Sequence, residues 1–474
     1  MNGASQTNEL EALRQLCQQL ERDVQHLKRH DPLTGLLNRS AFMSQVDGTL
    51  ATMDKSLVQS AMIEFGVRGL PRVTGSLGRH ASDYIVSALA SRLNLDPPKH
   101  SLCCRLDYWS FAVFLPNVDD ALQAMSEAKR LINKLTEPVD WVDRKMSLDV
   151  CAGVALSNQG EHDAATLLQN AGLAHKAATD RGSHSYSFFN PALALASRRR
   201  SEIQLAISEA IPKNQLTLHY QPVFNVNSGS LVGFEALLRF EHPELGKVSP
   251  MEFIPVAEET GSIMKIGAWA LAQACRTAVN WPNHMTVAVN ISPEQFYSGA
   301  LLSDVHHALE LSSFPAYRLE IEVTESTLLK DSEVVISQLN SLREMGCAIV
   351  MDDFGTGYSS LSYLWKFPFS KLKIDKSFVH ALDASPMVKG MLKAIIDLSR
   401  NIGLKVTAEG IETVEQADIM RSFGCDLVQG YLCGKPVAEP EVAAVIMRNF
   451  SDQLKKPLAV DVENIVAMQA LPTG

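Results

Sequence analysis

From residue 201 onward the chain alternates short apolar runs with amphipathic stretches at a regular beat. The runs at 215–224, 232–240, 285–292, 319–325, 347–354, 371–378, 405–411 and 427–433 predict eight strands. Amphipathic segments at 268–281, 332–345 and 388–402 predict helices between most of them. Eight strands with intervening helices in about 250 residues predict an α/β fold of the (β/α)8, TIM-like kind. Residues 31–188 carry a different pattern. Strand-like runs at 59–65, 101–106, 110–115 and 148–156 are separated by helical patterns such as 81–93 and 121–135, which predicts an α+β domain. At the start, Leu10, Leu13, Cys17, Leu20, Val24 and Leu27 recur at alternating steps of three and four, predicting one amphipathic helix over 8–30. A dimerising coiled-coil helix and a helix packed on its own domain both fit that seam. The expected division is therefore an N-terminal helix (1–30), an α+β domain (31–188), a connector with a turn at Asn190-Pro191 (189–200), a barrel domain (201–450) and a tail (451–474).

Composition changes this picture little. The 474 residues are 46% hydrophobic and 20% charged, ordinary for a globular chain, and the net charge of −10 argues against a nucleic-acid partner. Arg198-Arg199-Arg200 is a short, local basic run. Eight cysteines form no CxxC pair and no zinc-like spacing, so reduced, buried thiols in a cytoplasmic protein are expected. The polar N-terminus does not resemble a signal peptide, and no apolar run approaches the roughly 20 residues of a membrane span.

The chemistry lies in where polar residues interrupt the strands. Gln221 ends the first run, Glu235 and Arg239 lie in the second, and Asn290 ends the third. Glu322 and Glu325 end the fourth, Asp352 and Asp353 the fifth, and Lys373 and Asp375 fall in the sixth. Glu409 and Glu412 end the seventh, and Gln429 sits in the eighth. In such barrels the C-terminal strand ends form the active site. Each residue alone is more often a solvated loop residue, and Asp352-Asp353 before Phe354-Gly355 could be only a turn. Repetition on nearly every strand makes that reading untenable. Carboxylates converging on one mouth with few cations repel one another, and a hard divalent ion is the simplest way to hold them. Two ions, Mg²⁺ or Mn²⁺, would suit phosphodiester hydrolysis, with Lys373 adding a point charge.

These residues stand in recognisable motifs: Glu235-Ala236-Leu237-Leu238-Arg239, Val289-Asn290-Ile291-Ser292, Glu322-Val323-Thr324-Glu325-Ser326, Asp352-Asp353-Phe354-Gly355-Thr356-Gly357, Lys373-Ile374-Asp375, Ala408-Glu409-Gly410-Ile411-Glu412-Thr413 and Gln429-Gly430-Tyr431-Leu432. In that order, over roughly 215–437, the chain resembles the EAL domain family of cyclic di-GMP phosphodiesterases. The resemblance implies a modified TIM-type barrel that linearises cyclic di-GMP to pGpG. It implies that Glu235, Asn290, Glu322 and Asp352 bind metal, with Asp353 serving a second metal or its bridging water. It makes Glu409 the proposed general base and Lys373 a group that orients water or stabilises the transition state. Gln221 and Arg239 become nucleotide contacts, with Glu412, Gln429 and Asp375 placed about the substrate. Glu325 and the loop from Asp353 to Leu364 resemble the family's loop coupling dimerisation to metal binding.

The preceding domain resembles the GGDEF diguanylate cyclases. Asp31-Pro32-Leu33-Thr34-Gly35-Leu36-Leu37-Asn38-Arg39 matches their start, and Ala174-His175-Lys176-Ala177-Ala178-Thr179-Asp180-Arg181-Gly182 their last helix. The signature pentapeptide reads Asp107-Tyr108-Trp109-Ser110-Phe111, so both nucleotide-admitting glycines are replaced and a metal-binding acid becomes Trp109. The other metal position falls on Gly66, with Glu64 nearby, and the product-inhibition Arg-x-x-Asp would fall on 98–101 and is missing. A catalytically inactive scaffold, dimerisation or sensing domain is expected. The leading expectation is a hydrolase acting on cyclic di-GMP in bacterial signalling, with motility and biofilm formation as family-level outputs. A homodimer and a regulatory protein partner are also expected. A non-catalytic cyclic di-GMP receptor or an interaction scaffold would have lost metal ligands or nucleotide contacts, and the motifs keep them.

Overall fold

The structure, a computed structural model, describes residues 20, 24–53, 59–142, 144–157, 163–329, 332–355, 364, 366–382 and 386–447. The chain divides at Arg199/Arg200 into two units. Most of the expected N-terminal helix, the loop 356–363 and the expected tail lie outside the described residues. Leu20, Val24 and Leu27 of the helix seam are described, and all three are exposed.

The first unit is built on a six-stranded sheet. Its strands are β1 (Leu37–Asn38), β2 (Gln59–Arg68), β3 (Leu102–Arg105), β4 (Ser110–Val118), β7 (Asp149–Leu156) and β8 (Tyr186–Phe188), in the order β1-β3-β4-β2-β7-β8. A two-stranded ribbon joins β5 (Val139–Trp141) to β6 (Arg144–Met146). The central strands are apolar nearly throughout because helices cover both faces, and two separate cores result. One packs Ile85, Leu89 and Leu93 of helix Arg79–Leu95 with Leu131 and Leu135 of helix Ala121–Thr136. The other packs Phe42, Val46 and Leu50 of helix Arg39–Thr52 with Leu167 and Leu168 of helix Ala164–Arg181.

The connector expected at 189–200 is instead largely helical, within helix Pro191–Ile207. Proline fits the first helical position, the Ala/Leu/Arg run that follows propagates it, and Asn190 Oδ1 accepts from Leu193 N at 3.3 Å. The turn at Asn190-Pro191 is a helix start.

The second unit is a closed eight-stranded barrel. Its strands are β9 (Leu216–Asn225), β10 (Leu231–His242), β12 (Thr286–Asn290), β13 (Leu319–Thr324), β14 (Ala348–Phe354), β15 (Lys371–Ile374), β16 (Lys405–Ala408) and β17 (Leu427–Val428). Two short strands, β11 (Gly246–Val248) and β18 (Val437–Ala438), flank it on β10 and β9. Neighbours from β10 to β17 pair in parallel, but β9 is antiparallel to both β10 and β17. Only five residues separate β9 from β10, too few for a helical crossover. Asn225 Oδ1 accepts from the amides of Asn227 and Ser228, and Gly229 turns with φ +65°. Helices Pro250–Glu259, Pro293–Tyr297 and Val414–Phe423 each begin with a capping box, set by Ser249/Glu252, Ser292/Gln295 and Thr413/Gln416.

Several strands end earlier than their apolar runs suggest. The sixth stops at Ile374 because Asp375 caps the next helix, its Oδ1 accepting from Ser377 N at 2.9 Å. The seventh stops at Ala408 and the eighth at Val428. The apolar residues beyond them pack from loops and turns into the same core.

Candidate active site at the barrel mouth

Parallel register brings the strand-end carboxylates together. Asn290 pairs with Glu322 across β12 and β13, and Thr324 with Asp352 across β13 and β14. In the antiparallel hairpin Gln221 lies directly opposite Glu235. Gln221 was expected at a strand end; the reversed direction of β9 places it in mid-strand at the level of the cluster.

Lys373 organises the site. Its Nζ lies 3.2 Å from Glu235 Oε2, 3.0 Å from Glu322 Oε1, 3.1 Å from Asp352 Oδ1 and 2.7 Å from Glu409 Oε1. An ammonium has three N–H groups, so four carboxylates cannot each receive one. Glu235 is served best. Its Oε1 accepts from Asn290 Nδ2 at 2.8 Å, and its Oε2 accepts from Gln429 Nε2 at 2.7 Å as well as from Lys373. Gln429 also donates to Gln221 Oε1, which links the eighth and first strands. Glu322 Oε2 is buried with no hydrogen-bond partner.

Acidities follow from this packing. Burial pushes the Glu235 carboxyl up, but Lys373, Gln429 and Asn290 together hold it below its ordinary value. Glu322 is pushed well above, by burial and then by the neighbouring Glu235. Asp352 is raised by burial, against the pull of Lys373. Asp353 is raised to about 6 by burial and then by Asp352 and Asp375. Glu409 is raised to about 8, chiefly by burial. Lys373 loses by burial but gains more from its carboxylates and is held well above the usual lysine value.

Asp353 adopts φ +54°, in the left-handed region, where β14 and β15 slip register. Gly355 follows at φ +98°, and a Cβ there would meet the Phe378 ring at 2.4 Å. The Asp-Asp-Phe-Gly sequence thus bends the strand so that both aspartates serve the mouth.

The donor set suits divalent cations. Ligand oxygens of Glu235, Glu322 and Asp352 lie within 4.8 Å of one another, and so do those of Asp352, Asp353 and Glu409. The two groups share Asp352. Five carboxylates against one ammonium leave a formal charge of four minus, which two divalent ions would balance. An all-oxygen set with one oxygen lacking any partner fits Mg²⁺ or Mn²⁺. With its nitrogen turned to Glu235, Asn290 keeps its carbonyl oxygen to offer.

Other expected site residues lie apart. Arg239 is half-buried and donates to the Leu238 carbonyl at 2.9 Å. It lines a cavity of about 380 Å³ beside the cluster, walled by Leu238, Ile254, Ile263, Ile291 and Pro293 with Asn290 at its edge. Asp375 is buried and spent on capping its helix. Glu412 is not brought to the cluster: the chain turns at Gly410 (φ +67°), and Glu412 is exposed, with Oε1 3.7 Å from His380 Nε2. Glu325 is buried at the start of helix Glu325–Leu329. Sequence reading passed over Gln295, whose buried Nε2 lacks a partner beside that cavity, and the pair Lys371–Glu320 described below. The capping-box spacing at Ser292 was the available signal for Gln295.

The corresponding edge of the first unit is filled by its own side chains. Tyr108 OH donates to Asp83 Oδ1 at 2.6 Å and meets Ser82 Oγ at 3.1 Å. Arg105 pairs with both oxygens of Asp31 at 3.1 Å and lies over the Tyr108 ring. Asp107 accepts from the amides of Trp109 and Ser110. At Gly66 a Cβ would meet the His175 ring at 2.3 Å, and that ring lies 3.3 Å from Glu64 Oε1.

Fold and site define a chain whose second half is an EAL-type barrel with an intact acidic mouth, preceded by a cyclase-like α+β domain. A family model described as "EAL domain" matches residues 204–436, and one described as "Diguanylate cyclase, GGDEF domain" matches 28–185. The chain belongs to the tandem GGDEF–EAL proteins. It is 32% identical to the bifunctional diguanylate cyclase/cyclic di-GMP phosphodiesterase MucR of Pseudomonas aeruginosa, covering 90% of this chain and 62% of that one. It is also 32% identical to the cyclic di-GMP phosphodiesterase NbdA of the same organism, covering 91% and 56%. The S helix–GGDEF–EAL structure of Vibrio cholerae LapD shares the fold, with a TM-score of 0.53 at 21% identity over 89% of this chain and 99% of that one. The chain spans about half the length of the first curated relatives it matches, 51% and 52%. Among the described residues no helix is long and apolar enough to cross a membrane.

Proposed function

We propose that the barrel hydrolyses cyclic di-GMP to linear pGpG with two divalent ions, Mg²⁺ or Mn²⁺, and that the GGDEF domain makes no cyclic di-GMP. The observation that carries this reading is the set of five carboxylates converging around Lys373, with more acceptors than the ammonium can serve. Glu235, Asn290, Glu322 and Asp352 would hold one ion, and Asp353 with Asp352 and Glu409 the other. Bound there, the ions would lower the pKa of water and neutralise charge on the phosphate. The chain's own residues do the rest. Glu409, raised to about 8 when its neighbours are unneutralised, accepts the proton as water oxygen bonds to phosphorus. The P–O3′ bond breaks, the leaving oxygen takes a proton from solvent to become the 3′-hydroxyl, and Glu409 returns its proton to solvent. Lys373 carries positive charge at the site of developing negative charge. The apolar cavity at Arg239 and Asn290 has the volume and walls to take one guanine, with Arg239 placed for a phosphate.

The GGDEF half of the reading rests on Tyr108 and Trp109, which occupy the hairpin where glycines and a metal-binding acid would stand. This reading places the activity in the cytoplasm. The test is incubation of purified protein with cyclic di-GMP and Mg²⁺ or Mn²⁺, with products separated by chromatography beside Glu235→Ala. Metal-dependent pGpG is expected from the wild type, with the variant slower on the order of a thousand-fold. No product, together with tight binding of intact dinucleotide, would make the barrel a receptor. Cyclic di-GMP formed from GTP would overturn the reading of the first domain.

A further inference from the structure

Beneath the acidic cluster the barrel holds a second ion pair. Lys371 Nζ donates to both oxygens of Glu320, at 2.8 and 2.6 Å, and both side chains are about nine-tenths buried. The pair repeats the mouth one step down the strands. Inward positions on β13 are Glu320 and Glu322, and on β15 they are Lys371 and Lys373, two apart as strand periodicity requires. Thr286, Ala288, Val232 and Thr407 surround it, and the space left is about 10 Å³, room for one water at most.

A buried ion pair is weak evidence for stability, because well-packed apolar residues of like volume usually serve as well. Its place suggests a different task. Glu320 is drawn first to Lys371, and Lys373 also attracts it. Lys373 already faces more carboxylates than it has protons to donate. Deprived of Lys371, Glu320 would be one more buried carboxylate competing for that ammonium, from below.

We infer that Lys371 is a positioning residue: by satisfying Glu320 it keeps Lys373 at the mouth, among the carboxylates that face the substrate. This rests on the proposed phosphodiesterase reading for its catalytic consequence, but not for its electrostatic one. Withdrawal of Lys373 toward Glu320 removes a positive charge from the ligand cluster, so divalent ions would bind more tightly while turnover falls. A variant that merely disorders the site would weaken both.

The experiment uses the full chain as wild type, Lys371→Met and the double variant Lys371→Met/Glu320→Met. Mn²⁺ binding to substrate-free protein is followed by calorimetry, and kcat and KM are measured with cyclic di-GMP. For Lys371→Met the expected result is a kcat lower by about 10–100-fold, as for loss of an orienting partner of a metal site. KM should stay within about twofold, and Mn²⁺ binding should tighten several-fold, on the order of one pKa-sized interaction with a nearby like charge. The double variant, which has no competing carboxylate, should return both quantities to near the wild-type values. Wild-type kcat in the single variant would overturn the inference, as would weakened Mn²⁺ binding, or a double variant as slow as the single one. If Lys371→Met does not fold, the double variant decides: near-wild-type kcat and Mn²⁺ affinity support the inference and a loss of either overturns it. A wild type that binds Mn²⁺ but never cleaves would sink the phosphodiesterase reading and leave the Mn²⁺ comparison standing as the test of Lys371.

Discussion

At the barrel mouth one ammonium stands within 3.2 Å of four carboxylates, three buried and one, Glu409, partly exposed. At the hairpin of the first unit the groups singled out above are partnered within that unit: Arg105 with Asp31, Tyr108 with Asp83, and Asp107 with two backbone amides. Both regions are strand ends rich in polar residues, but only one is left under electrostatic tension. Buried like charges cost free energy unless something binds them. A site that retains that cost is poised for a ligand of opposite charge, whereas one that has relieved it internally has become structure. The difference can be broken at either end.

The largest effect should come from removing the one charge that holds the mouth together. Lys373→Met should lower kcat by about 100–1,000-fold, as for loss of a group placed at developing charge. Without metal it should also destabilise the barrel by about 3–5 kcal/mol, because it leaves buried charge unpaired. Saturating Mn²⁺ should restore most of that loss of stability but not the turnover. Thermal melts with and without Mn²⁺ check the first part. If the metal-free variant melts like the wild type, the carboxylates were not relying on Lys373.

The next effect is on pH. Glu409, raised to about 8, and Asp353, raised to about 6, bind protons more strongly folded than unfolded. Between their ordinary values near 4 and those raised values, the native state holds the extra protons. Stability therefore falls as pH rises through that window. Glu235 and Glu320, held low, act oppositely and cost stability only as pH falls below the ordinary carboxylate range. Metal-free protein should lose melting temperature from about pH 5 to pH 8. Bound divalent ions replace the protons, so the slope should flatten with saturating Mg²⁺. An equal slope with and without metal would show that these carboxyls are not the ones that titrate.

Much of the barrel was legible because its strands are buried on both sides and bounded by turns. Glu235, Glu322, Asp352, Lys373, Glu409 and Gln429 were all legible as polar residues interrupting or ending apolar runs. The direction of β9 was less so, since an apolar run reads alike in both senses and only the five-residue turn after Asn225 reveals the reversal. Glu412 was legible only as a strand-end acid; that the turn at Gly410 carries it out of the strand to an exposed position was not. Lys371 and Glu320 were passed over although each stands two positions before a residue singled out. Inward-facing periodicity was applied to strand ends and not continued one step down.

The smallest effect should come from the first unit. Trp109 packs at the edge of one of its cores, its ring 4.4 Å from that of Tyr108, and its carbonyl accepts from Val67 N at 3.1 Å. Trp109→Ala keeps the backbone bond and removes only part-buried ring area, so it should destabilise that unit by about 1–2 kcal/mol, below the range for fully buried aromatics. Hydrolysis by the barrel should change by less than about twofold, because additivity holds for sites without shared partners. Melting followed by probes in each unit, alongside kcat, checks both parts. A large fall in kcat with both units folded would mean that the relaxed hairpin is not inert. Its polar groups would then be satisfied at home while its conformation still governs the mouth, and the contrast between the two regions would be one of regulation rather than of retirement.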